Sequence, residues 1–158
     1  MSNAFPKHNL ETAPEKSKPL LRQLLEQSGP NGFYSVTAES PETLTAYAML
    51  HKAFMASSFT NEEKTVIWQT INVENQCHFC VPAHTYMAKA MKIDKAVSDA
   101  LRNETALPSA RLEALRDFTL LMLRNHGNAS DAEISNFLSA GYTHQNMLEV
   151  VLGLAQKT

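Results

Sequence analysis

The 158-residue sequence predicts an all-α fold, a single-domain helical bundle of about eight helices. Three observations predict it. Apolar residues recur at the 3.6-residue spacing of a helix along nearly the whole chain. Glycine and proline are few, five and seven, and most of them sit where one helical pattern stops and the next begins. Helix-start signals recur, whereas the best strand candidate, "NGFYSV" at residues 31–36, is too short to build a sheet.

The elements follow in order. Residues 1–19 carry Pro6, Pro14 and Pro19 among polar side chains and read as an extended N-terminal arm preceding a helical domain over 20–158. "SKPLLRQLLEQSG" opens with Ser17 at the N-cap and closes at Gly29, with leucines 20, 21, 24 and 25 on one face. "SPETLTAYAMLHKAFMASS" places Ser40 at the N-cap and Pro41 at the first helical position, where a missing N–H does no harm. "TNEEKTVIWQTINVEN" carries the capping box of Thr60 and Glu63. The segment with both cysteines follows as a separate helix, and Asp94 caps the short "DKAVSDALRN". In "SARLEALRDFTLLMLRNHG", Leu112, Leu115, Phe118, Thr119 and Met122 keep the helical period, and Gly127 ends it. "SDAEISNFLSAG" has a capping box at Ser130 and Glu133 and stops at Gly141. "THQNMLEVVLGLAQKT" begins at Thr143 and puts Met147, Leu148, Val151, Leu152 and Ala155 on one side.

Composition narrows the function. At 44% hydrophobic and 19% charged residues the chain is an ordinary globular one, long enough to bury a core. The net charge of −2 supplies no basic field for nucleic acid or an anionic membrane. No apolar run reaches the length of a transmembrane helix, and the N-terminus has no apolar signal region. The expected compartment is therefore the cytoplasm, where a CxxC pair is catalytic or metal-binding more often than structural.

The chemistry is concentrated in "CHFCVPAH". Cys77, Cys80 and His84 stand at i, i+3 and i+7, within about 60° of one another on an ideal helix. Pro82 is tolerated only in a first turn, so the helix should begin near His78 or Phe79, with the cysteines at its N-terminal end. Free N–H groups and the helix dipole there favour a thiolate. His84, one turn beyond Cys80, can take or relay the thiol proton.

A redox pair is the reading this placement favours. A zinc site would need a fourth ligand beside Cys77, Cys80 and His84, from His78 or a distant residue, and the chain has no second CxxC or HxxxH. Two inert core cysteines are a further alternative. Val81 after the second cysteine excludes a c-type haem, and no βαβ pattern supports a thioredoxin fold.

With its flanks, "FTNEEKTVIWQTINVENQCHFCVPAHT", the motif resembles the alkyl hydroperoxidase D-like (AhpD-like) branch of the carboxymuconolactone decarboxylase family, over roughly residues 40–158. The resemblance implies an oligomer, a trimer or hexamer, and peroxide reduction with no bound cofactor. Cys80 would attack the peroxide, and Cys77 would resolve the sulfenic acid by closing a redox-active Cys77–Cys80 disulfide. His84 would belong to the proton relay. The expected partners are a hydroperoxide substrate and a thiol or lipoyl-type electron donor protein. Decarboxylation is not implied, because that branch lacks the CxxC.

The chain departs from the family pattern at two positions. The glutamate that members usually carry twelve residues before the first cysteine is Thr65 here. Glu63 is two residues off, so Glu74, three residues before Cys77, is the substitute relay member the sequence offers. Phe79 occupies a position where some members have histidine, and it reads as a core residue. If these changes cripple the relay, disulfide exchange by the thiol pair would outlast peroxidase activity. A non-catalytic zinc or redox-sensing module is the alternative of another class.

Overall fold

Nine helices follow one another in the computed structural model, which describes residues 4–158. They are α1 (Lys18–Ser28), α2 (Gly32–Thr37), α3 (Pro41–Met55), α4 (Asn61–Glu74), α5 (Cys80–Ala90), α6 (Lys95–Asn103), α7 (Ala110–Arg124), α8 (Asp131–Ser139) and α9 (His144–Lys157). The chain is all-α, as the periodicity predicts, and no strand occurs among the described residues. The extra helix is α2, the segment that offered the best strand signal. Asn31 decides it locally, its side chain accepting from the Phe33 N–H at 2.9 Å.

The described residues divide into two compact units, Met1–Lys52 and Ala53–Thr158. In the first, α1 packs on α2, and a small cluster of Ala13, Leu21, Ala38 and Leu44 is buried. The stretch before α1 is not featureless. Asn9 Oδ1 accepts from the N–H groups of Glu11 and Thr12 at 2.8 and 2.9 Å, forming a turn, and the His8 N–H donates to Ser35 O. Ser17 stands at the N-cap of α1 but does not cap it with its hydroxyl, which donates instead to Ala38 O at 2.7 Å.

In the second unit α4 is the central helix, packed against α5, α6, α7 and α9. Ten consecutive residues, Glu63 to Asn72, are buried. Burial all round a helix this polar is costly unless each polar group is bonded. Lys64 Nζ donates to Met55 O, the Thr65 hydroxyl donates to Asn61 O, and Glu63 receives both Thr60 and Arg111. The apolar remainder, Val66, Ile67, Trp68 and Ile71, meets Leu115, Phe118 and Met122 of α7 in one core. The five residues predicted to face inward on α7 are the five that do. The capping boxes at Thr60 and Ser130 form as predicted, and a third joins Thr143 to Asn146.

Three expectations change. On α9 the buried positions are Asn146, Val150, Gly153, Leu154 and Gln156, whereas Leu148 and Val151 are exposed. Gly153 sets this orientation, because a Cβ there would stand 2.8 Å from Phe54 and 2.9 Å from Ile67. Phe79, read as a core residue, is also exposed. Finally, the left-handed residue that ends α7 is His126, at φ 52°, with Gly127 following it.

Candidate active site at the start of α5

The turn between α4 and α5 positions the cysteines. Gln76 takes a left-handed φ of 50°, and its N–H donates to Val73 O at 2.9 Å. The Cys77 N–H donates to Asn72 O at 3.0 Å. This pair of bonds is the Schellman motif, which satisfies the last carbonyls of α4 and reverses the chain. Cys77 then opens the next helix. Its carbonyl accepts from the Val81 N–H, and its Sγ accepts from the Cys80 N–H, both at 3.1 Å. One residue therefore closes the cap of α4 and, from the turn before α5, accepts the first N–H of that helix.

Cys77 and Cys80 are joined as a disulfide with Cα atoms 5.2 Å apart. Both residues are half-buried. Cys80 is the first residue of α5 and Pro82 the third, where the missing N–H belongs to the unpaired first turn. The positive end of the helix dipole at this position favours negative charge there.

His84 is buried on the same helix, four residues after Cys80. The Trp68 ring on α4 packs edge-on against it, with centroids 5.0 Å apart. Lys157 Nζ on α9 lies 2.7 Å from His84 Nε2 and 5.4 Å from the centre of the Trp68 ring. Trp68 Nε1 donates to Gln156 Oε1 at 2.9 Å. Burial lowers the pKa of Lys157 from its ordinary 10.5 to about 8.

A polar clamp holds α5 against α4. Gln69 Nε2 donates to Val81 O at 3.0 Å and to the Thr85 hydroxyl at 3.1 Å, while Asn72 donates to Gln69 Oε1. Val81 and Thr85 flank His84, so the clamp fixes the turn of α5 that carries the imidazole.

The four residues singled out in the sequence are thus distributed unequally. Cys77, Cys80 and His84 share the start of α5. Glu74, at the end of α4, is held by Arg124 of α7 through two bonds of 2.7 and 2.8 Å, and these bonds keep its pKa below the usual carboxylate range. Thr65 is buried one turn before Trp68, with its hydroxyl spent on Asn61 O. His78 is exposed. Among the described residues no group of three or more histidine, cysteine or acidic side chains is placed to hold a metal ion. Sequence reasoning missed Lys157, Gln69 and Gln156. None carries a local signal, since each acts through a partner at least a dozen residues away.

The fold belongs to a class already seen in solved structures. The chain superposes on the alkylhydroperoxidase AhpD core of an uncharacterized peroxidase-related protein from Ralstonia eutropha JMP134 with a TM-score of 0.84. The match covers 96% of this chain and 83% of that one, at 20% identity. A second similar structure is an uncharacterized peroxidase-related protein from Silicibacter sp. TM1040, with a TM-score of 0.80, 18% identity, and 96% and 81% of the two chains covered. Neither a protein-family model nor a curated protein matches the chain. The fold is therefore AhpD-like. No helix among the described residues is long and apolar enough to cross a membrane.

Proposed function

We propose that this chain is a cysteine-dependent peroxidase that reduces alkyl hydroperoxides through the Cys77–Cys80 pair. The observation that carries the reading is the pairing of the two sulfurs at the start of α5, one turn from a buried histidine, within an AhpD-like fold. In the reduced protein the Cys80 thiolate attacks the terminal peroxide oxygen. A sulfenic acid forms on Cys80 and an alcohol leaves. The Cys77 thiol then displaces water from that sulfenic acid and closes the disulfide. Two electrons from a dithiol donor, a small thiol or a lipoyl-bearing protein, restore the pair.

A second reading, thiol–disulfide exchange with little peroxidase activity, draws support from one feature. The carboxylates nearest in sequence are occupied, Glu63 with Arg111 and Glu74 with Arg124. The test that separates the two is stopped-flow consumption of tert-butyl hydroperoxide by the reduced protein, with thiols counted before and after. Loss of two thiols per chain with matching loss of peroxide is expected. Thiols that survive peroxide yet oxidise rapidly against a disulfide would move the assignment to exchange. Zinc retained by the thiols in protein purified without chelator would remove both readings.

The assembly is also proposed. Leu148, Val151 and Ala155 form an exposed stripe on α9, and Phe79 and Tyr86 are exposed on and before α5. Apolar stripes of this kind mark contact surfaces, and they fit a homo-oligomer.

A further inference from the structure

We propose that Gln69 sets the redox poise of the Cys77–Cys80 pair. With Asn72 it ties both ends of the CxxC turn to one turn of α4, and so favours the disulfide over the dithiol. The inference rests on the redox reading of the two cysteines above, and on the contacts between α4 and α5 for the residues that carry it.

The CxxC turn has few backbone bonds of its own. The Val81 N–H donates to Cys77 O at 3.1 Å and the Ala83 N–H to Phe79 O at 3.3 Å. Between them Pro82 has no N–H, so the bond a helix would send to the His78 carbonyl is missing. Helix α4 supplies the remaining hold. At one end of the turn Asn72 O accepts from the Cys77 N–H at 3.0 Å, and at the other Val81 O accepts from Gln69 Nε2 at 3.0 Å. Asn72 Nδ2 donates to Gln69 Oε1 at 3.1 Å, which links the two ties.

The Gln69 amide is fully used. One N–H reaches Val81 O and the other the Thr85 hydroxyl at 3.1 Å, while that hydroxyl donates to Val81 O at 2.8 Å. The amide oxygen takes Asn72. A rotated amide would set an oxygen against Val81 O and its NH2 against that of Asn72, so the network admits one orientation. Gln69 and Asn72 are each 2% exposed. Amides buried this deeply are costly unless bonded, and what these two hold is the segment that carries both sulfurs.

The sign follows from what each redox state leaves free. The disulfide already fixes the turn, with the Cα atoms 5.2 Å apart. The dithiol lacks that link, and an untethered turn would gain conformational freedom on reduction. Tying both ends to α4 removes this freedom in advance, so closing the disulfide loses less entropy. Loss of the tie therefore favours the dithiol and makes the potential less negative. In equilibrium with dithiothreitol the exchange is balanced: Cys77 and Cys80 give up two protons and two electrons as their S–S bond forms, and the ring disulfide of oxidised dithiothreitol takes them up as it opens to two thiols.

The test is the reduction potential of the full chain, read from its thiol–disulfide ratio in dithiothreitol redox buffers by alkylation and mass spectrometry, together with urea midpoints of the oxidised and reduced forms. Gln69→Met keeps the side-chain length and removes both donors. It should lower the equilibrium constant for disulfide formation about tenfold, the size of one net buried hydrogen bond, which is a potential about 30 mV less negative. Thr85→Val removes only the bridging hydroxyl. It should shift the constant about threefold, or about 15 mV, and it decides the matter should the methionine variant not fold. The urea midpoint should fall further in the oxidised form than in the reduced one, because the shift in potential is the difference between the two losses. A side chain that merely packs α5 on α4 would lower both midpoints alike and leave the potential where it is. That result, or a more negative potential, would overturn the proposal. If the unmodified chain consumes no peroxide, the peroxidase reading fails by itself, while the potential still decides what Gln69 does.

Discussion

The proposed mechanism gives the two sulfurs, three residues apart, different duties because one lies inside a helix and the other outside it. Cys80 sits at the first position of α5 with the dipole behind it, whereas Cys77 lies in the preceding turn and accepts the Cys80 N–H on its sulfur. Cys80→Ser is therefore expected to abolish peroxide consumption, and Cys77→Ser to permit one oxidation that stalls at a sulfenic acid, read by dimedone labelling and mass spectrometry. Equal multi-turnover rates in the two variants would contradict the assignment. Glu63 supports a second prediction at this scale. Burial opposes its ionisation, but the bonds from Thr60 and Arg111 outweigh that and hold its pKa low. A carboxylate whose folded pKa is depressed contributes stability that is present above its unfolded pKa of about 4.3. That contribution is lost as pH falls through the folded value. Glu63→Gln should flatten the acid limb of a urea-denaturation series below about pH 4, and an unchanged limb would show that the pair with Arg111 contributes nothing.

At the scale of elements, helix ends are where local rules and this chain part company. Gln76, Lys92, Glu104 and His126 all adopt left-handed φ at or just past a helix end, where glycine is the usual residue. The conformation costs a non-glycine residue roughly 1–2 kcal/mol, against roughly 0.5–1 for the entropy of glycine. Gln76→Gly is accordingly expected to stabilise the oxidised protein by up to about 1 kcal/mol, seen as a higher urea midpoint, with the disulfide turn intact. Gly153 poses the opposite case. Alanine there gains about 1 kcal/mol of helix propensity, but its Cβ meets Phe54 and Ile67 inside normal contact. Overpacking of this kind costs about 1–3 kcal/mol. Gly153→Ala should lower the urea midpoint, and a higher one would mean that the two side chains move aside freely.

For the whole molecule, the question is what covers the exposed stripe on α9. Leu148 is 73% and Val151 42% exposed, one turn apart on the face opposite the buried one. If this stripe joins copies of the chain, Leu148→Glu with Val151→Glu should convert the oligomer to monomer in light scattering, with the helical circular dichroism unchanged. A parent that is already monomeric would remove the oligomer from the proposal.

The sequence by itself determined the helical class, most helix starts, the inward face of α7, and the placement of two cysteines and a histidine around one helix start. These are local matters. A cap, a proline in a first turn and a 3.6-residue period involve neighbours within a turn or two, so they are written in adjacent letters. Only the tertiary structure decided the rest. It made "NGFYSV" a helix, turned Leu148 and Val151 of α9 outward because Gly153 lets that helix approach Phe54 and Ile67, and gave Glu74 to Arg124, fifty residues on. It also brought Lys157 to His84 across 73 residues. A charged side chain near the end of an amphipathic helix reads as solvent-facing until packing takes it out of water. Its partner, its pKa and its use are then set by which helix lies beside it, and that is a property of the packed bundle rather than of any stretch of sequence.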